Sequence, residues 1–165
     1  MKYRQGIFSD VEQLRLIALK SWDQFRNDLL PEHWEKLFNS LNSKETFTDL
    51  LDKSSCIVCE NDNEEIVGMA FLVPSGNPTD IYLTEWSYIR FVTVDPEYGG
   101  RGIGRRLTEL CIDKAKENSE TTIALHTSEM MHKARHIYES MGFKVLRELE
   151  PRLGKKYWLY TLDIS

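Results

Sequence analysis

The feature that most narrows the fold is a glycine-rich turn set between a long β-rich run and an amphipathic helix. Ile81 to Val94 (IYLTEWSYIRFVTV) is dense in β-branched and aromatic residues and ends at Asp95-Pro96, so it is expected to form one long strand. Pro96-Glu97-Tyr98-Gly99-Gly100-Arg101-Gly102-Ile103-Gly104-Arg105 then places four glycines in six positions. Ile103, Leu107, Leu110, Cys111 and Ala115 follow on one face of a helix. Glycine allows positive φ and close approach to a ligand, while the first amides of the helix have no intrahelical acceptor. Together they read as an anion cradle. Arg101, Arg105 and Arg106 agree with that reading, because cations at a helix N-terminus oppose the macrodipole by roughly 0.3–1 kcal/mol each unless an anion is present. A tight turn with solvated arginines would use the same residues.

Spacing excludes two common anions. A P-loop needs Lys-Ser/Thr where Arg105-Arg106 stand, and a dinucleotide fingerprint begun at Gly100 or Gly102 would need its third glycine at Arg105 or Leu107.

The other elements support an α/β chain. Tyr3 to Gln5 is a short strand, and Ser9-Asp10 signals a helix through Val11, Leu14, Ile17 and Ala18. Pro31 opens a second helix, and Phe47, Leu50 and Leu51 mark a further helical stretch. Cys56 to Glu60 and Ile66 to Val73 form an antiparallel hairpin, with a loop from Pro74 to Asp80. Thr121 to Leu125 is a strand, Ser128 begins a helix ended by Gly142, and Lys144 to Leu149 and Tyr157 to Asp163 are closing strands. No linker or repeat divides residues 1–165, so one domain is expected.

A net charge of −5 gives no long-range attraction to phosphate backbones or anionic membranes, which argues against nucleic acid and membrane partners. The N-terminus lacks the apolar stretch of a signal peptide, and three cysteines make an unpromising disulfide framework, so a cytoplasmic protein is expected. Cys56 and Cys59 have C-x-x-C spacing but sit on a strand, where residues three apart point to opposite faces. Two buried cysteines are expected there rather than a metal site.

The glycine loop resembles the pyrophosphate-binding signature of the GNAT superfamily of acyl-CoA-dependent N-acyltransferases, [RQ]-x-x-G-x-[GA] after a strand ending V-x-P. Val94-Asp95-Pro96 followed by Gly102-Ile103-Gly104 matches, with Gly99 in place of the usual Arg or Gln. A second signature, N-x-x-A-x-x-x-Y-x-x-x-G-F, resembles Met131 to Phe143, with Ala134, Tyr138, Gly142 and Phe143 in register and Met131 in place of Asn. The resemblance implies an α/β GNAT fold: a mixed sheet of about six to seven strands, about four flanking helices and a splayed central strand pair.

It also implies acetyl-CoA as co-substrate, no metal, and acetyl transfer to a primary amine of a small molecule by direct attack. A protein acetyltransferase and a non-catalytic acyl-CoA sensor are the alternatives, and a homodimer stays open. The implied cofactor contacts are Val92, Thr93, Val94, Gly99, Gly100, Arg101, Gly102, Ile103, Gly104, Arg105, Met131, Ala134 and Tyr138, with the Val92 amide polarising the thioester carbonyl. Tyr138 is the candidate acid, or else a packing residue. For the base, period-2 alternation puts Trp86, Tyr88, Arg90, Val92 and Val94 on one face and Glu85 on the other. Glu85, or a water relay ending in Tyr88, His126 or Glu129, are the candidates; His126 also reads as a core histidine. Trp22, Phe25, Asp28, Glu32, Trp34 and Glu35 would border the acceptor pocket, where carboxylates would suit a cationic amine.

Overall fold

The uninterrupted apolar run Ile66 to Val73 requires a sheet with both faces covered, and the computed structural model, which describes residues 1–165, provides one. In chain order the elements are β1 (Lys2–Gln5), α1 (Val11–Asp23), α2 (Pro31–Leu41), α3 (Lys44–Lys53), β2 (Ser55–Glu60), β3 (Ile66–Val73), β4 (Ser87–Val94), α4 (Ile103–Glu117), β5 (Thr122–Ser128), α5 (His132–Ser140), β6 (Lys144–Arg152) and β7 (Lys155–Asp163). The seven strands form one mixed sheet of order β1-β2-β3-β4-β5-β7-β6. There are five α-helices, one more than the expected number.

Two apolar clusters cover the two faces. One packs Leu14, Ile17 and Ala18 of α1 and Phe47 and Leu50 of α3 against Val58, Met69, Phe71 and Tyr88. The other packs Leu107, Cys111 and Ala115 of α4 and Tyr138 of α5 against Val67, Ala70, Leu72, Ile89 and Leu125. Cys56 belongs to the first cluster and Cys59 to the second, as strand alternation requires, and all three cysteines are buried and free. Gly68 lets α4 seat closely on β3, since a Cβ there would lie 2.8 Å from Ile103 Cγ2.

The long strand expected over Ile81 to Val94 is half as long as its composition suggests. Only Ser87–Val94 is strand. Upstream, Gly76 N bonds to Thr84 O and Thr79 N to Tyr82 O, while Thr79 Oγ1 accepts from the amides of Ile81 and Tyr82. These local bonds turn the chain back, and Tyr82 stacks on Tyr88 with ring centroids 4.0 Å apart. The aromatic content serves that packing rather than a longer ladder.

Within β4 the alternation also breaks. Met69 pairs with Thr93 but Phe71 pairs with Arg90, so Ala70 opposes two residues, and Phe91 has φ +53. This is a β-bulge. Thr93 Oγ1 donates to the Phe91 carbonyl across it, 3.1 Å. Tyr88 and Phe91 consequently pack toward the α1 cluster and Val92 and Val94 toward the α4 cluster, so the single shared face expected for Tyr88, Arg90, Val92 and Val94 does not form.

Candidate active site

The bulge and the next strand together open the sheet. β4 and β5 are parallel neighbours paired only at Ser87–Ile123 and Tyr88–Ala124, and beyond Tyr88 they separate. Asp95 N bonds to Val67 O, so by antiparallel alternation Thr93 faces β3 and the main-chain groups of Val92 and Val94 face the gap. A stretch of unpaired strand edge therefore lines an opening in the middle of the sheet.

At the end of that edge stands the glycine loop. Gly100 and Gly102 have φ +75 and +76, and Gly102 occupies the N-cap position of α4 in the left-handed region that glycine adopts without strain. The first amide of α4 to find a main-chain acceptor is that of Arg106, bonded to Gly102 O. The six amides from Gly100 to Arg105 make no main-chain hydrogen bond. A Cβ on Gly102 would meet nothing within 4 Å, so the space over the loop is open.

Both features line one cleft of about 850 Å³. Val92, Thr93, Val94, Gly99, Gly100, Gly102, Ile103, Gly104, Met131, Ala134 and Tyr138, all expected from the sequence, border it. Arg101 and Arg105 do not: Arg101 lies over the Tyr98 ring at 4.8 Å, and Arg105 Nη2 donates to Ser140 Oγ at 2.7 Å. Arg106 pairs with Glu109 at 3.2 Å.

Tyr138 is 7% exposed and packs edge-on to Phe143 with centroids 5.8 Å apart. It donates no hydrogen bond within the chain, yet no buried side-chain oxygen lacks a partner, so its hydroxyl opens into the cleft. Burial, with a small contribution from Cys111, pushes its pKa well above that of a free phenol, so it keeps its proton.

The expected bases fare differently. Glu85 is exposed on the loop before β4 and does not border the cleft, because the strand that was to carry it is absent there. Tyr88 is 1% exposed, stacked on Tyr82, and donates its hydroxyl to Asn77 O at 3.1 Å. Glu129 accepts from Lys156 N at 2.8 Å. His126 does border the cleft, and burial, Arg90 and Arg152 push its pKa down to about 3. Burial raises Tyr82, so that phenol keeps its proton, and its hydrogen-bond partner is His126 Nδ1. The imidazole is thereby neutral with its proton on Nε2, a donor toward the cleft.

Trp22 and Phe25 border the α1 end of the cleft, as expected, but Asp28, Glu32 and Glu35 are exposed away from it and Trp34 stacks with Arg26 at 5.5 Å. Helical carboxylates face water here rather than the pocket. What sequence reading missed is Arg90, which borders the cleft beside Phe91, 5.2 Å from its ring centre. The available signal was the strand alternation that set Arg90 with Val92 and Val94, from which no role was drawn.

The sequence profile of the Acetyltransferase (GNAT) family matches residues 18–143. "Probable N-acetyltransferase camello" of Xenopus tropicalis is 27% identical over 146 residues, 81% of this chain and 64% of that protein. The L-amino acid N-acyltransferase MnaT of Escherichia coli K12 is 30% identical over 70 residues, 41% of this chain and 40% of its own length. The chain thus spans less than two thirds of either relative. Among solved structures, the PaiA N-acetyltransferase of Thermoplasma acidophilum in complex with coenzyme A superposes with a TM-score of 0.79 at 16% identity, covering 98% of both chains.

Proposed function

The chain belongs to the GNAT acetyltransferase family, and from that premise we propose that it transfers an acetyl group from acetyl-CoA to a primary amine of a small molecule. The observation that carries this reading is a run of amides from Gly100 to Arg105 without main-chain acceptors, of which Gly100, Gly102, Ile103 and Gly104 border one cleft together with the unpaired edge of β4. A pyrophosphate satisfies the first and an extended amide-bearing arm satisfies the second. Trp22, Phe25 and Tyr157 wall the other end of the cleft, which supports a small acceptor over a protein tail, and the MnaT name points the same way.

In this mechanism the amine nitrogen attacks the thioester carbonyl carbon. As the C–N bond forms, the carbonyl π pair moves to oxygen, where the Val92 amide donates to it as a one-donor oxyanion site. Collapse of the oxyanion breaks the C–S bond and the sulfur leaves with the electron pair. Tyr138 then supplies the proton from its hydroxyl to the sulfur and recovers, through water, the proton that the adduct nitrogen loses as it becomes the amide. Its raised pKa makes this donation effective only once charge has developed on sulfur, so its contribution is modest. The ammonium proton of the acceptor is lost to water, since His126 presents a donor and no carboxylate borders the cleft.

Mass spectrometry of the protein with acetyl-CoA and a pool of amines tests this. Thiol release together with one or a few N-acetylated small amines is the expected result. Acetylation confined to added peptides would overturn the small-molecule acceptor, and coenzyme A binding without thiol release would overturn the transferase.

A further inference from the structure

The chain has 26 acidic residues and a net charge of −5, yet none of the residues bordering the cleft is Asp or Glu. At the α1 end, away from the glycine loop, the charged residue is Arg90, beside Phe91 and close enough to His126 to act on it, in a cleft that Trp22, Gln24 and Tyr157 also border. Arg90 is half-buried, makes no ion pair and donates no hydrogen bond within the chain; its one close neighbour of note is the Phe91 ring at 5.2 Å. By contrast, Arg152, the other cation acting on His126, is paired with Asp80 at 3.5 Å. A half-buried guanidinium costs desolvation energy that an unpaired position does not return.

Arg90 is poorly placed for the phosphates of coenzyme A. It lies four residues before Val94, about 13 Å back along the strand at 3.3 Å per residue, and the glycine loop begins beyond the strand's far end. It also lies before the bulge, on the stretch of β4 whose Tyr88 packs with α1, whereas Val92 and Val94 pack with α4. The five donors of its planar fork match a carboxylate. A cationic polyamine would meet the opposite: a positive side chain and no acid to neutralise it.

Resting on the acetyl-transfer reading of this cleft, we propose that Arg90 binds a carboxylate on the acceptor, so that the small amine acetylated here is amino-acid-like. The Phe91 ring stacked beside the guanidinium fixes one face of it, and Trp22 and Phe25 offer apolar surface to a side chain. His126 Nε2–H, on β5 across the gap from Arg90, is a second donor bordering the cleft.

The test uses the full chain and matched probes: a panel of L-amino acids, each beside its carboxamide and its decarboxylated amine. Thiol release should give kcat/KM values on the order of 10- to 100-fold higher for the acids, the worth of a hydrogen-bonded charged group. Arg90→Gln should collapse that ratio toward one, chiefly through KM, and Arg90→Lys should keep part of it. Amines or carboxamides turned over as well as the acids would overturn the proposal, as would an Arg90→Gln variant that loses coenzyme A affinity. Calorimetry on protein saturated with coenzyme A reads acceptor binding without turnover. Carboxylate-selective binding without thiol release would sustain the Arg90 assignment while removing the transferase, whereas thiol release with no preference for acids would do the reverse.

Discussion

At the glycine-loop end the cleft is bordered by main chain, at Gly100, Gly102, Ile103 and Gly104, held by one short stretch of sequence whose amides have no main-chain acceptor. At the α1 end it is bordered by side chains, Trp22 from α1 and Phe25 from the turn after it, Arg90 from one strand, His126 and Tyr157 from two others. The first end depends on backbone conformation and tolerates no bulk; the second depends on side-chain identity and could be rewritten without disturbing the fold. A scaffold built this way keeps its co-substrate while its acceptor changes.

The sharpest test of that contrast is to add bulk to the main-chain end. Gly102→Val and Gly104→Val should each lower coenzyme A affinity by 100-fold or more, about 2.7 kcal/mol, measured by calorimetry. Gly102→Val should also lose about 1–3 kcal/mol of stability because φ is +76, while a Cβ at Gly104 would sit at an ordinary 3.7 Å from Val94 Cγ2. Unchanged affinity in a folded variant would remove the loop from the site.

Removing one hydroxyl should cost less. Tyr138→Phe keeps the ring packed on Phe143 and should lower kcat about 10- to 100-fold with acetyl-CoA KM nearly unchanged. A drop under about threefold in steady-state kinetics would make Tyr138 a packing residue.

At the side-chain end, His126 offers a readout in stability. Its folded pKa, about 3, lies below the unfolded value near 6.5, so the unfolded chain binds the extra proton between those limits. The stability its neutral form provides is present above pH 6.5 and is lost as pH falls toward 3. Between pH 7 and pH 5 the wild type should lose about 1–2 kcal/mol more than His126→Asn, roughly 2–8 °C in Tm by calorimetry. Parallel pH profiles for the two proteins would show that His126 titrates freely.

The smallest effect is expected at Arg101, which is exposed and rests on Tyr98. Arg101→Ala should weaken coenzyme A by less than about fivefold, in keeping with an exposed charge, and leave pantetheine binding unchanged. A loss as large as that of the glycine variants would mean that side chains share the main-chain end after all.

This same division governs how much could be read from the sequence. The glycine loop, the hairpin and the order of strands and helices were legible because φ requirements and apolar periods are local. Phe91 was not, since a bulky residue at φ +53 is held there by Thr93 and the aromatic packing of Phe47 and Phe71, which are distant in sequence. Missing it assigned Tyr88 to the face of Val92, and Arg90, placed on that same face, was given no role. Glu85 was misplaced for a related reason: Tyr82 and Trp86 have strand-forming side chains, but the turn bonds around Thr79 decide the backbone. Whether Glu32 or Arg90 would reach the cleft is likewise a tertiary outcome.

The gap between β4 and β5 has one more consequence, for how the protein avoids its own kind. A row of free amides and carbonyls is what a strand of another chain would need in order to add to a sheet and start an aggregate. Here that row is only a few residues long, closed at one end by the Ser87–Ile123 and Tyr88–Ala124 pairs, and kinked at Phe91. A regular strand has a fixed spacing of donors and acceptors that does not match the kink. The wedge therefore discriminates by shape: it rejects polypeptide edges while staying open to a thinner, more flexible chain.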